Sequence, residues 1–429
     1  MNLDAINAIT LGHLSKGIPG GTAPFRLDAI AAQGWNVLRE DMNMPLAVLK
    51  DSALSHNSAW MRDFLTRSHA QIAPHGKTTM APQLFQRQLD DGAWAITLAT
   101  PQQVQVARDF GVSRIVMANQ LIGRKAIGWV LSELKRDPDF DFYCLVDSEA
   151  GVKLLADAAR AANIGRPLQV LLEGGSPGGR TGVRDRATGL AVACAVKAAA
   201  PYLALRGVEG FEGLFGGATR ADIEAQVRGF LDLLVGLAQD CENQDLFAPG
   251  EVILTAGGSA FYDMVLARFT HAGLKRPAKV LIRSGCYLSH DSARYRNAFA
   301  DIVDRTPDAA TGGGLISAIE VWAYVQSRPE PGKVLLTMGA RDTQSDTMPL
   351  PETWYRAGMT APAGVPPGHI CTGMNDQHTH MTVPVSSPLQ VGDLVSFGVS
   401  HPCLTFDKWP ILYVVNDAYD VISAIRTYF

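Results

Sequence analysis

The chain has 429 residues, 47% hydrophobic and 19% charged, which predicts a globular protein with room for two domains or for one large barrel with an added domain. A net charge of −4, no basic run and no apolar stretch near the roughly 20 residues of a spanning helix argue against a nucleic-acid partner and against a membrane. Six cysteines without paired spacing and a start without a secretory pattern, MNLDAINAITLGHLSKG, predict free thiols and a cytoplasmic location.

Eight short β-branched or apolar runs, each bounded by turn residues, recur through the first three hundred residues. Helical patterns, six in all, lie between them, and several end on glycine. Strands alternating with helices in this number predict an α/β fold, a (β/α)8 barrel rather than an open sheet. The predicted strands cover 70–76, 93–100, 113–120, 141–148, 167–175, 203–213, 251–259 and 279–286.

After Tyr295 the pattern changes to strands with turn-rich connections. Six are predicted: LISAIEVWAYVQSR, GKVLLTMGA, HMTVPVSS, DLVSFGVS, ILYVVND and VISAIRTYF. The segment PETWYRAGMTAPAGVPPGH is rich in proline and glycine and is predicted to be a surface loop. We expect an N-terminal segment over 1–44 that packs on the β domain, a barrel over 45–300 and a mainly β domain over 301–429.

The loops after the barrel strands carry unusual residues, and the active sites of such barrels lie at this end. Lys77 follows the first strand in APHGKTTM, and Arg180 follows the fifth in EGGSPGGRTGVR. Gly257, Gly258 and Ser259 follow the seventh strand and precede a helix, where free N–H groups form a natural phosphate site. An amine nucleophile, an arginine and a phosphate site together suit pyridoxal phosphate.

Each of these residues taken alone also has a purely structural explanation. A lysine between glycine and threonine is usually a loop lysine, Gly-Gly-Ser turns commonly cap helices, and Arg180 fits a structural ion pair. The segment GGSPGGRTG has arginine where a nucleotide phosphate loop needs lysine, which excludes that motif. The prediction therefore rests on the coincidence of several such residues at one rim.

A second group of residues follows a strand near the C-terminus, in SHPCLTFDKW. Because side chains alternate along a strand, His401 and Cys403 are predicted to share one face. Imidazole and thiolate suit Zn²⁺, and two ligands leave positions for water or substrate. On spacing alone, a core histidine and a small buried cysteine are favoured instead. His378 and His380 in NDQHTHM form a similar pair, either further ligands or a solvated strand face.

The chain resembles the D-serine dehydratase and D-threonine aldolase family of fold-type III pyridoxal phosphate enzymes. The resemblance runs from about residue 44 to the C-terminus and is most specific in PHGKT, GAWAITLATPQQ with IVMANQ, GGRTGV, and SHPCLTFDKW. It implies an alanine-racemase-like barrel plus a β domain, and a homodimer with its sites near the subunit interface.

The resemblance also implies a role for each matching residue. Lys77 would bond covalently to the cofactor and remove the Cα proton of a D-amino acid. His75 would also bind the cofactor, and Arg180 would face the pyridine nitrogen. His401 and Cys403 would bind Zn²⁺ or another divalent metal next to the β-substituent, where a Lewis acid helps hydroxide to leave. The phosphate would be held by Gly257, Gly258, Ser259 and Tyr287.

Three departures from the family pattern bear on the substrate. Cys403 stands where aldolase members tend to have aspartate, which favours a carbon–nitrogen lyase that converts D-serine or D-threonine to a 2-oxo acid and ammonia. Phe211 stands where family members commonly have a tyrosine, and DQHTH stands where they have a segment like EEHG. The alternatives are a carbon–carbon lyase of the D-threonine aldolase type, giving glycine and an aldehyde, and a pyridoxal phosphate carrier without catalysis.

Overall fold

The computed structural model describes all residues, Met1–Phe429. Eight parallel strands form one sheet in which the first strand lies beside the eighth. The first and second strands meet through a bridge between His75 and Thr97, and Thr97 Oγ1 donates to the carbonyl of Ala73 at 2.6 Å. The sheet is thus a closed barrel, as predicted, with strands Gln71–Ile72, Ile96–Leu98, Arg114–Gln120, Asp141–Val146, Leu168–Gly174, Leu203–Gly210, Val252–Ala256 and Ala278–Ile282.

Helices cover the outside of the barrel, and all six predicted helical patterns form helices. Thr100, Ser148, Asp185 and Thr219 start four of them by accepting a hydrogen bond from the N–H three residues later. No helix combines the length and the apolar content that crossing a bilayer requires. The helices are Asp51–Arg67, Pro82–Asp90, Pro101–Asp109, Arg124–Arg136, Glu149–Ala162, Arg186–Ala198, Arg220–Asn243, Tyr262–Phe269 and Arg294–Arg305.

A second sheet of ten mostly antiparallel strands is built from the C-terminal part of the chain and one earlier strand. Ile319–Glu330 is central, because it pairs with Leu394–Gly398, with Lys333–Leu336 and with Leu46–Lys50. All six predicted C-terminal strands are present. The other strands are Leu350–Tyr355, Ala363–Gly364, Ile370–Met374, Thr379–Thr382, Ile411–Val415 and Val421–Arg426.

The prediction of a loop over PETWYRAGMTAPAGVPPGH is wrong in its first part. Leu350–Tyr355 is a strand that pairs antiparallel with Leu394–Gly398. Thr353, Trp354 and Tyr355 favour strands, and a register shift beside Pro351 accommodates the missing N–H of proline. The glycines and most of the prolines of the segment lie beyond this strand.

The first residues of the chain pack on the second sheet. They form only short elements: the helix Asp4–Asn7, the strands Thr10–Leu11 and Phe25–Arg26, and the 3-10 helix Leu27–Gln33. Ile6, Ile18 and Val37 are buried in one apolar cluster with Trp322 and Tyr413 of the sheet. Burial of this apolar surface holds the N-terminal segment in place.

The pairing of strands bears on the domain boundaries. Leu46–Lys50 belongs to the second sheet, since it pairs antiparallel with Ile319–Glu330 and parallel with Ile411–Val415. A boundary at residue 300 would cut the helix Arg294–Arg305, whose Arg305 bonds to Asp263 of the barrel layer. We therefore propose that the barrel domain extends from Asp51 through this helix, and that residues on both sides of it form the β domain.

Close packing between adjacent barrel strands predicts the effect of one added methyl group. A Cβ on Gly207 would come within 1.9 Å of the Ile253 carbonyl oxygen in the next strand. We expect Gly207→Ala to destabilise the protein by at least about 2 kcal/mol, because backbone has to move. Gly128→Ala is the control, since its Cβ would meet nothing within 4 Å in the helix Arg124–Arg136. It should stabilise by about 0.5–1 kcal/mol. Urea unfolding of both variants measures the difference, and equal midpoints would contradict it.

Candidate active site

A cavity of about 210 Å³ lies at the carboxyl ends of the barrel strands, where the β domain meets the rim. It is lined by barrel loops and by the turn that holds His401 and Cys403. Seven of the predicted site residues line it: His75, Lys77, Gly257, Gly258, Ser259, His401 and Cys403. The cavity therefore joins the predicted cofactor residues to the predicted metal ligands.

Lys77 is held by a tight turn directly after the first barrel strand. Residues Gly76–Thr78 form one turn of 3-10 helix, closed by the N–H of Thr79 on the carbonyl of Gly76 at 3.2 Å, and the N–H of Met80 donates to the same carbonyl at 2.9 Å. A Cβ on Gly76 would come 2.7 Å from the Phe85 ring, so this turn approaches the helix layer as only glycine allows. The Lys77 side chain is exposed to the cavity while its backbone neighbours are buried.

His75 lies beside Lys77 and is held in its neutral form. Burial lowers the pKa of His75 well below its ordinary value, and the charges of Lys77 and Arg283 lower it further. Its Nδ1 atom is buried and has no hydrogen-bond partner in the chain. A neutral imidazole with a free nitrogen is suited to contact a polar ligand in the cavity.

The glycine loop after the seventh strand differs in one respect from a simple phosphate-binding loop. The N–H groups of Gly257 and Gly258 donate to the two carboxylate oxygens of Glu212, at 3.0 and 2.7 Å. Glu212 is fully buried and does not line the cavity, and burial raises its pKa. These two N–H groups are thus already used by the protein. Ser259 lines the cavity beside them.

Two of the predicted cofactor residues do not line the cavity. The Arg180 guanidinium lies over the Phe211 ring, 4.9 Å from its centroid, and Phe211 itself forms part of the wall. Arg180 is therefore at the rim, and its charge contributes to the lowered pKa of His75. Tyr287 is buried in the helix layer and lines a separate cavity with Ser58 and Gln88. The structure does not bring Tyr287 to the glycine loop.

His401 and Cys403 reach the cavity through a turn and not through strand alternation, so that part of the prediction is wrong. The strand ends at Gly398, and Cys403 begins the short helix Cys403–Phe406 after Pro402. His401 Nδ1 lies 3.1 Å from Asp346 Oδ2. Hydrogen bonds with Cys403 and then with Asp346 raise the pKa of His401. A carboxylate on one ring nitrogen leaves the other available, as in many metal-binding histidines.

Cys403 has two close neighbours that the sequence did not single out. Its Sγ lies 3.6 Å from Thr78 Oγ1, which is also 3.6 Å from the Sγ of Cys286. A hydrogen bond with Cys286, followed by those with His401 and Thr78, lowers the pKa of Cys403. The same bond raises the pKa of Cys286. Cys286 follows the eighth strand in RSGCYLSHD, and that rim position was the one available signal for it.

Arg283 is the second residue of the site that sequence reasoning missed. It lines the cavity and is almost fully buried, and it pairs with the equally buried Glu209 inside the barrel. Its Nη1 also donates to Thr255 Oγ1 at 2.9 Å, while its Nε has no partner. His378 and His380, in contrast, do not line the cavity, and His380 bonds to Asn375 instead.

The residues of the cavity fit pyridoxal phosphate in their chemistry. Lys77 supplies the amine, and the buried Nδ1 of His75 and Nε of Arg283 are free to contact a polar group. Imidazole and thiolate from His401 and Cys403 are ligands that zinc prefers. No group of three or more His, Cys, Asp and Glu side chains in the chain stands ready to hold a metal ion.

Comparisons with known proteins relate this chain to one group of enzymes. Residues 318–415 match the family model described as "Putative serine dehydratase domain". A D-threonine aldolase from Arthrobacter sp is 24% identical over 383 residues, covering 88% of this chain and 90% of the relative. The resemblance to the D-serine dehydratase and D-threonine aldolase family is confirmed.

Solved structures related to this family share the fold. The D-threonine aldolase from Filomicrobium marinum superposes with a TM-score of 0.73 at 20% identity, covering 94% of this chain and 98% of that one. The D-threo-3-hydroxyaspartate dehydratase from Delftia sp. HT23 gives 0.70 at 19% identity, covering 90% and 98%. An alanine racemase from Clostridium difficile gives 0.59 at 11% identity, covering 90% and 98%, so the alanine-racemase type of fold is confirmed.

The buried pair of Arg283 and Glu209 predicts a stability effect. Arg283→Met leaves the Glu209 carboxylate buried without a counter-charge, and we expect a loss of about 3–5 kcal/mol in unfolding free energy. Adding Glu209→Gln removes that charge and should recover much of the loss. Chemical unfolding of the single and double variants measures both effects. An unchanged stability in the single variant would mean that Glu209 is solvated or protonated there.

Proposed function

We propose that this protein is a pyridoxal phosphate- and metal-dependent D-amino acid dehydratase, which converts a D-β-hydroxy amino acid such as D-serine or D-threonine to a 2-oxo acid and ammonia. One observation carries the proposal. Lys77, the Gly257–Gly258–Ser259 loop and the pair His401 and Cys403 line a single cavity, although more than three hundred residues separate Lys77 from Cys403.

Each group of side chains has a part in such a reaction. Pyridoxal phosphate, when bound, supplies an electron sink for chemistry at Cα, and a divalent metal supplies a Lewis acid for a β-hydroxyl. Lys77 holds its ε-nitrogen in the cavity, where it removes the Cα proton. The neutral His75 beside it adds no positive charge to the site.

The remaining residues bind and orient. Ser259 and the glycine backbone form the wall where the phosphate would lie, and the N–H groups of Gly257 and Gly258 become available only if Glu212 gives them up. Arg180 at the rim, with Lys77 and Arg294 in the wall, makes this end of the barrel positive, which favours an anionic cofactor. A homodimer and a cytoplasmic location remain predictions of the sequence.

A dehydratase and an aldolase of the D-threonine type both fit the cavity, and the relative from Arthrobacter supports the aldolase. One feature supports dehydration instead. Cys403 stands at the second position of the His-x-Cys pair and faces the cavity, where the resemblance associates aspartate with aldolases. Solved structures of an aldolase and of a dehydratase share this fold, so the fold does not distinguish the two reactions.

D-Threonine distinguishes the two reactions in one experiment. With pyridoxal phosphate and Zn²⁺ added, we expect 2-oxobutanoate and ammonia, because the metal assists departure of the β-hydroxyl. Glycine and acetaldehyde would instead mean cleavage of the Cα–Cβ bond and would contradict the assignment to Cys403. Chromatography of the products gives the result, and protein treated with a chelator serves as the control. A carrier without catalysis would give neither pair.

The role of Lys77 is testable apart from the substrate. Borohydride reduction of the protein with pyridoxal phosphate should leave the reduced cofactor bonded to Lys77, as peptide mass spectrometry detects. Lys77→Ala should abolish this attachment and lower turnover by at least about 10²-fold. Lys153→Ala is the matched control, because Lys153 is exposed on the helix Glu149–Ala162 away from the cavity. Attachment at another lysine would overturn the assignment.

A further inference from the structure

Cys286 differs from the other buried cysteines of the chain. Cys144, Cys241 and Cys371 are packed in the main apolar core. Cys286 is buried as well, at 4% exposure, but it lies outside that core and lines the cavity. Its Sγ lies 3.6 Å from Thr78 Oγ1, and Tyr295 and Cys403 line the same cavity. A cysteine kept only for packing needs no such surroundings.

The position of Cys286 places a second sulfur beside the proposed metal ligands. Thr78 Oγ1 lies 3.6 Å from the Sγ of Cys286 and 3.6 Å from the Sγ of Cys403, and both cysteines line the cavity. His401, two residues before Cys403, lines the same cavity. One imidazole and two sulfurs therefore line the same cavity, with Thr78 in contact with both sulfurs.

We propose that Cys286 is a third protein ligand of the metal held by His401 and Cys403, an inference that rests on the metal dependence of the proposed function. Ligation exchanges the S–H bond of Cys286 for a bond from sulfur to metal, and the proton goes to solvent. As the side chains stand, no three donors are ready to hold an ion. All three side chains line the same cavity, and binding one ion would require rotation about their Cα–Cβ bonds toward a common centre.

This ligand set has a consequence for the choice of metal. Two thiolates and one imidazole form a soft set that selects zinc over magnesium or manganese, which prefer oxygen ligands. Three protein ligands also leave a fourth position of a tetrahedral zinc open, as in catalytic zinc sites. Asp346 supports this arrangement, because its bond to Nδ1 of His401 fixes the ring and leaves Nε2 for the metal.

X-ray absorption at the zinc edge counts the sulfur ligands directly in the zinc-loaded holoenzyme. Zn–S bonds of about 2.3 Å are distinct from Zn–N and Zn–O bonds of about 2.0–2.2 Å. We expect two sulfurs in the wild type and one in Cys286→Ser. Competition with a chelator should show that zinc affinity falls by more than about tenfold in this variant, since losing even an outer-shell partner costs that much. Cys194→Ser, at an exposed cysteine, should keep two sulfurs and full affinity.

The outcomes separate this inference from the proposed function. One sulfur in both the wild type and Cys286→Ser, with equal affinity, would overturn the role of Cys286 and leave His401 and Cys403 as ligands. No bound zinc in the wild type would overturn the metal dependence itself, and the inference with it. Circular dichroism and the thermal midpoint verify folding of Cys286→Ser, and Cys286→Ala repeats the measurement if serine disturbs the Thr78 contact.

Discussion

The pairing of one short strand, Leu46–Lys50, determines where the two sheets of this protein lie relative to each other. Both edges of this strand are bonded to C-terminal strands, Ile319–Glu330 on one side and Ile411–Val415 on the other. The chain then runs directly into Asp51–Arg67, the first helix of the barrel layer. His401 and Cys403 follow Leu394–Gly398, which pairs with Ile319–Glu330, so their position over the barrel depends on this register.

A second attachment lies close to the reactive lysine. The N–H of Tyr428 donates to the carbonyl of Met80 at 2.9 Å, three residues after Lys77. Thr78 in the same turn contacts Cys403 of the β domain. The turn that carries Lys77 is therefore held from both sides, by the barrel strand before it and by the C-terminal domain above it. Such support from rigid elements gives a functional side chain a defined position.

Positively charged side chains line the cavity without a partner, whereas the buried carboxylates next to it are paired with other groups of the protein. Arg283 is offset by the buried Glu209, and Glu212 is held by two backbone N–H groups. Lys77 and Arg294 line the cavity without an ion-pair partner in the chain. A positively charged cavity attracts a phosphorylated cofactor and the carboxylate of an amino acid, because low-dielectric walls strengthen the electric field.

The sequence by itself determined the barrel, the six predicted strands of the second sheet and seven of the sixteen residues that line the cavity. These follow from patterns of local range, namely alternation of strands with helices and glycine or polar residues at strand ends. Tertiary structure decided what depends on contacts between distant segments. Tyr287 lies in the helix layer, Glu212 takes the N–H groups of the glycine loop, and Cys286 meets Cys403. No spacing along the chain encodes such contacts, because packing of the β domain on the rim creates them.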